Sequence, residues 1–196
     1  MSKALIRRVD RVATAVAVAL LAAVAFVGLA PSASAAVNTS ATTNGGGAVA
    51  GTPLSKLTAA GSKAKLTSTG LAIPPANAPV KVQAAIRAGN KIAKKPYKWG
   101  GGHALLNDSG YDCSGSVSYA LRGGRLMTSA MASTGFMSWG RRGPGRWITI
   151  RANGGHVYML IAGLRFDTSA RGIGGSRWTA QMRSPRGYVP THPPGL

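Results

Sequence analysis

Apolar residues recur at helical spacing in one stretch of this chain and alternate in another. Val82, Ala85, Ile86, Gly89, Ile92 and Ala93 fall on one face of a helix, with Lys81, Arg87 and Lys91 on the other. Pro79 suits its first turn and Pro96 stops it. A second helix is expected to begin at Asp112, whose carboxylate can cap the following amides, and to end at Gly123 and Gly124. Its apolar positions Val117, Ala120 and Leu121 form a narrow stripe, so one-sided burial is expected. Residues 147–150, 156–161 and 164–168 read as strands, the last two joined across Ala162 and Gly163 by a short hairpin connection. Helices first and antiparallel strands afterwards predict an α+β fold. Residues 123–146, rich in Gly, Ser and Met, carry no clear period.

Outside that block the patterning changes. Lys3, Arg7, Arg8 and Arg11 precede an apolar run over residues 12–30, and Ala33 and Ala35 flank Ser34 in the small-x-small form of a signal-peptidase site. Residues 1–35 read as a removable export signal, with an uncleaved membrane anchor as the alternative. Residues 36–79 are dominated by Ala, Thr, Ser and Gly and end in Pro74, Pro75 and Pro79, the composition of a flexible linker. Residues 80–179 then form one domain, long enough for a small core. Residues 180–196, with Pro185, Pro190, Pro193 and Pro194, are expected to be an irregular tail in which His192 is exposed and inert.

Charge narrows the choice of partner. The chain has 24 Lys and Arg against 4 acids; export removes four of the former and Asp10, leaving 20 against Asp108, Asp112 and Asp167. A formal charge of about +17 favours anionic partners. No zinc-finger spacing or aromatic-rich RNA-binding signature accompanies it, so an anionic cell wall suits an exported protein better than nucleic acid. The alternative is that the charge serves solubility alone. No long amphipathic basic helix points to membrane insertion once the signal is removed.

Candidate chemistry centres on the single cysteine, Cys113, which has no partner for an intramolecular disulfide. At the first turn of a helix capped by Asp112, its thiolate is favoured by the helix dipole. A lone cysteine is otherwise a small buried hydrophobe, but Asp112, Ser114, Gly115 and Ser116 make a poor apolar site. A nucleophilic thiol needs a base, and only His103, His156 and His192 are available. Strand alternation puts His156 on a face with Tyr158 and Leu160, and a two-residue turn at Ala162 and Gly163 sets Asp167 opposite Tyr158, diagonal to His156. A three-residue turn presents Thr168 instead. A structural histidine and a salt-bridged aspartate remain the alternatives for the pair, and Tyr97 and Trp99 by themselves read as core aromatics.

Three segments, PYKWGGGH at residues 96–103, YDCSGSVSYAL at 111–121 and GGHVYMLIAG at 154–163, together resemble the NlpC family of bacterial cell-wall cysteine peptidases. The three segments span residues 96–163, with the pieces in the family's order and spacing. It implies a papain-like core, with N-terminal helices packed on a small antiparallel sheet. It further implies Cys113 as nucleophile, His156 as general base and Asp167 as the orienting third group. Tyr97, Asp112 and Ser114 would surround the pocket for the substrate's amino end, and the Cys113 amide would face the oxyanion. An aspartate stands where the family commonly has a histidine, and GPGRWITIRAN at 143–153 replaces the family's usual strand before the base. The implied activity is a secreted, wall-associated, monomeric endopeptidase acting on the stem peptides of peptidoglycan, typically at the D-glutamyl to diamino acid bond, without metal or cofactor. A non-catalytic wall-binding protein and a Cys/His amidase or acyltransferase on the same fold are the competing readings.

Overall fold

A computed structural model describes residues 53, 54 and 56–196 of the chain. The expected export signal and residues 36–52 of the expected linker lie outside the described residues. The elements run β1 (Lys65–Leu66), β2 (Ala72–Ile73), α1 (Val80–Ile92), α2 (Cys113–Gly123), α3 (Ser133–Phe136) and β3 (Arg141–Arg142). They continue with β4 (Ile148–Ala152), β5 (Val157–Ile161), β6 (Leu164–Phe166), α4 (Arg171–Gly174), β7 (Trp178–Thr179) and β8 (Val189–His192). The architecture is α+β: two longer helices pack on each other and on a six-stranded antiparallel sheet of order β3-β8-β4-β5-β6-β7, and β1 and β2 form a separate hairpin.

The two helices follow from their local sequence. On α1, Val82, Ala85, Ile86, Gly89 and Ile92 are buried, the stripe that the helical spacing requires. On α2 the Asp112 side chain accepts the N–H of Gly115, and Gly124 closes the other end. The helices meet through small residues, since a Cβ on Gly123 would run into Ala88 and one on Gly124 into the Lys81 carbonyl, while Gly89 lets α1 approach Trp178 of the sheet. Beneath them lie Ile148, Ile150, Val157, Met159, Ile161 and Phe166 from the sheet, all fully buried.

One buried cation ties the layers together. Arg177, just before β7, is fully buried, and its guanidinium donates to the carbonyls of Ile92 (2.7 Å), Lys95 (2.5 Å), Pro96 (3.2 Å) and Tyr111 (2.9 Å) and to Ser116 Oγ (2.9 Å). It therefore satisfies the frayed end of α1 and the approach to α2 at once.

Two sequence expectations require correction. Residues 56–79, expected to be a free linker, dock in part on the domain: Ala59, Ala64, Ala72 and Ala78 are buried. Asn90 on α1 both donates to and accepts from the backbone of Ala72, at 2.8 and 2.9 Å, and Ala64 N–H donates to Ala162 O at 2.8 Å. Few large apolar side chains are present, but alanines and backbone hydrogen bonds are enough for a segment lying on an existing surface. The expected irregular tail, 180–196, contains β8, which lies between β3 and β4. Its Pro190 lacks an N–H but offers its carbonyl to Gly143 N–H at 3.0 Å, so proline does not exclude the strand. His192 sits at its end, with Nδ1 3.0 Å from Gly143 O. Among the described residues no helix is long and apolar enough to cross a membrane.

Candidate active site

Cys113 opens α2, and the chain before it is folded back to form a cleft. The Tyr111 N–H donates to Pro96 O at 3.1 Å and the Asp112 N–H to Gly101 O at 3.3 Å, which lays the 96–103 loop alongside the helix start. The contact is so close that a Cβ on Gly115 would collide with the Gly101 carbonyl. Gly102, at φ +85°, takes a backbone conformation that favours glycine and lies against the Tyr111 ring. Ser116 Oγ donates to Asp112 O at 2.6 Å while accepting from Arg177, so the buried arginine reaches the first turn of α2 through one hydroxyl.

A second approach delivers His156. Asn153 Oδ1 accepts from the N–H groups of Gly155 (3.0 Å) and His156 (2.8 Å), closing a tight turn that sets His156 immediately before β5. Ala162 (φ +46°) and Gly163 (φ +84°) then form a two-residue connection with Ile161 opposite Leu164 and Met159 opposite Phe166. Continuing that register puts Asp167, rather than Thr168, across from Tyr158. His156 Nε2 lies 3.0 Å from Asp167 Oδ1, and the Asp167 side chain is fully buried. The Ser169 N–H donates to the same oxygen at 2.9 Å.

Cys113, His156 and Asp167 thus meet, and their ionisation is perturbed in a consistent sense. Burial pushes the Cys113 thiol up, but a hydrogen bond from His156, the N–H of Val157 and the imidazolium charge outweigh it, and the net shift is downward. For His156, burial opposes protonation, yet the Asp167 hydrogen bond, the Cys113 hydrogen bond and the two negative charges raise its pKa to about 9. Burial likewise disfavours ionised Asp167, and His156 with the Ser169 N–H overcomes this to hold the carboxyl below its ordinary range. The shifts on cysteine and histidine favour a thiolate–imidazolium pair.

The cleft in front of Cys113 has a volume of about 410 Å³. Tyr97, Trp99, Gly100 and His103 line it from the first loop, Asp112 and Ser114 from the helix start, Ser133 and Thr134 from α3, and Gly154 and Gly155 from the turn before His156. Tyr97 and Trp99, which by themselves read as core aromatics, are instead 51% and 87% exposed at this cleft. Partial burial, then the negative charges of Cys113 and Asp112, raise the Tyr97 pKa. The N–H groups of Cys113 and Ser114, in the first turn of α2, donate to no acceptor among the described residues.

Asp112 plays a part that the sequence only half disclosed. Its Oδ1 accepts from Gly115 N–H (2.6 Å) and Ser114 Oγ (3.1 Å), its Oδ2 accepts from Gly100 N–H (3.1 Å), and His103 Nε2 lies 3.1 Å from both Oδ1 and Ser114 Oγ. His103, in the sequence a candidate for a polar role near the cysteine that could not be separated from a surface residue, belongs to the cleft. Sequence reasoning placed Tyr158 on the face of His156 but missed Arg183 and Tyr188, which with it surround the far side of His156 and Asp167. Arg183 and Tyr188 lie in the segment read as irregular tail, and no local pattern marks them.

Comparisons of the chain with protein-family models, curated proteins and solved structures find no match.

Proposed function

We propose that this protein is a cysteine peptidase of the NlpC type, with a papain-like core, acting outside the cell on the stem peptides of peptidoglycan. The observation that carries the proposal is the alignment of Cys113, His156 and Asp167 at the mouth of a cleft, with thiol and imidazole shifted toward the charged pair. The Cys113 sulfur attacks the substrate carbonyl, and the free N–H groups of Cys113 and Ser114 at the start of α2 receive the oxyanion. The His156 imidazolium gives its proton to the departing amine, leaving a thioester on Cys113. Neutral His156 then takes a proton from water, which attacks the thioester and frees the acid product. Asp167 keeps the imidazole in orientation and balances its charge throughout.

The wall as substrate is supported by the three-segment resemblance and by the excess of basic residues, which would retain the enzyme on an anionic polymer in a salt-dependent way. Digestion of purified peptidoglycan by the wild type and by Cys113→Ser, with mass spectrometry of soluble fragments, tests it. Cuts within stem peptides by the wild type alone are expected, at the D-glutamyl to diamino acid bond. Release of intact stem peptides from sugar would assign an amidase instead. Wall binding by both proteins with no fragment released under reducing conditions would overturn the catalytic reading.

A further inference from the structure

We infer that Arg183, in the segment between β7 and β8, is a positioning residue of the Cys113–His156–Asp167 array: it occupies the second carboxylate oxygen of Asp167 and limits how firmly that carboxylate holds the His156 proton. The inference rests on the reading of that array as nucleophile, base and orienting acid. Asp167 divides its two oxygens between two duties. Oδ1 faces His156 Nε2 and the Ser169 N–H, whereas Oδ2 accepts from Arg183 Nη1 at 3.1 Å, with Arg165 Nε farther off at 3.8 Å. Removing the Arg183 contact leaves that oxygen with the more distant Arg165 guanidinium, and the Ser169 hydroxyl as a further donor to the carboxylate.

The guanidinium is held in place from its other side. It lies over the rings of both Tyr158 and Tyr188, 5.2 Å from each centroid, and the two rings meet edge to face at 5.1 Å. The same rings touch His156, Tyr158 stacked and Tyr188 edge-on, each at 6.4 Å. Arg183 also donates to Ser169 Oγ at 3.4 Å, beside the backbone that caps Asp167. An exposed ion pair is ordinarily weak. Here the anion has no exposed surface, so solvent screens the contact much less.

Arg183 is one of several groups around His156, and the others set the background. Cys113 with Asp112 behind it faces the imidazole from α2, Tyr158 from β5, Arg165 and Asp167 from β6 and the turn after it, and Tyr188 from the same segment as Arg183. Arg151 on β4 acts on Tyr158. Among these, Arg183 joins the last segment of the chain directly to the orienting carboxylate. Its positive charge opposes a proton on His156, so removing the charge should leave His156 protonated to higher pH.

Arg183→Gln in the full-length protein removes the charge and keeps an amide that can reach Asp167. Two measurements follow the array without any substrate: NMR titration of the His156 ring, and the pH dependence of Cys113 alkylation by iodoacetamide. The His156 midpoint is expected to rise by about half a unit to one unit, with the alkaline limb of alkylation moving with it. Arg183→Lys should bring both back toward wild type, and Arg186→Gln, a charge removed nearby in the same segment, should move neither. If the glutamine variant does not fold, Tyr188→Leu loosens the guanidinium without changing charge and should shift the midpoint in the same direction. An unchanged or lowered midpoint, or an equal shift in Arg186→Gln, would overturn the inference. A wild-type Cys113 that alkylates no faster than free cysteine would instead sink the catalytic reading, while the His156 titration still decides the role of Arg183.

Discussion

Replacing Asp167 by asparagine tests the array at its most buried member. The substitution keeps the shape of the side chain and removes the charge that faces His156 Nε2 at 3.0 Å. His156 is raised from 6.5 to about 9, and because burial acts against that rise, its partners together contribute more than the net shift. The net shift is worth about 3.4 kcal/mol of preference for the imidazolium, at about 1.36 kcal/mol per unit. With Asp167 neutral, burial persists and the carboxylate's hydrogen bond and charge are gone, so the His156 midpoint should fall to its ordinary range or below. Cys113 then loses the imidazolium beside it and reverts toward a buried thiol. Iodoacetamide alkylation near pH 7 should slow by roughly 10- to 100-fold, and the wild-type plateau, which ends near the His156 midpoint, should become a single rise at alkaline pH. An asparagine variant that is folded by circular dichroism, keeps the plateau and titrates His156 near 9 would refute the electrostatic account of this site.

The same shifts fix a pH dependence of stability. His156, with its folded pKa raised to about 9, contributes fully below its unfolded value of 6.5, and the contribution is lost as pH rises through 9. Asp167, with its folded pKa depressed, contributes above its unfolded value of 3.8 and loses the contribution on further acidification. Thermal melts of the wild type should therefore show this pair's contribution at its fullest between about pH 4 and 6.5, and the asparagine variant should lack both flanks. Arg177→Met removes a buried cation from four carbonyls and a serine hydroxyl, and should cost about 3–5 kcal/mol in chemical denaturation. A wild-type midpoint in that variant would show that water serves those carbonyls as well as the guanidinium does. Ending the chain at Thr179 removes β8 from between β3 and β4, so the truncated protein should lose its cooperative unfolding transition. A sharp transition in it would mean that β8 merely decorates the sheet.

Much of the candidate site could be read from the sequence because the features that build it are local. An aspartate before Cys113 caps a helix through an amide three residues away, and the place of Cys113 at the helix start follows. Ala162 and Gly163 set a two-residue turn, and the register that brings Asp167 toward His156 is then a matter of counting along two strands. Period, cap and turn act over a few residues and leave their mark in order. Tertiary structure alone decided the rest. His103 reaches Asp112 and Ser114 only because the 96–103 loop folds back on α2, and Tyr97 and Trp99 face a cleft rather than a core for the same reason. Residues 56–79 and 180–196 look unstructured by composition, yet the first docks through Ala72 on Asn90 of α1 and through Ala64 on Ala162, and the second supplies an inner strand and the arginine behind Asp167. Their order comes from surfaces and unpaired backbone groups presented by residues distant in the chain, and no window of sequence contains both halves of such a contact.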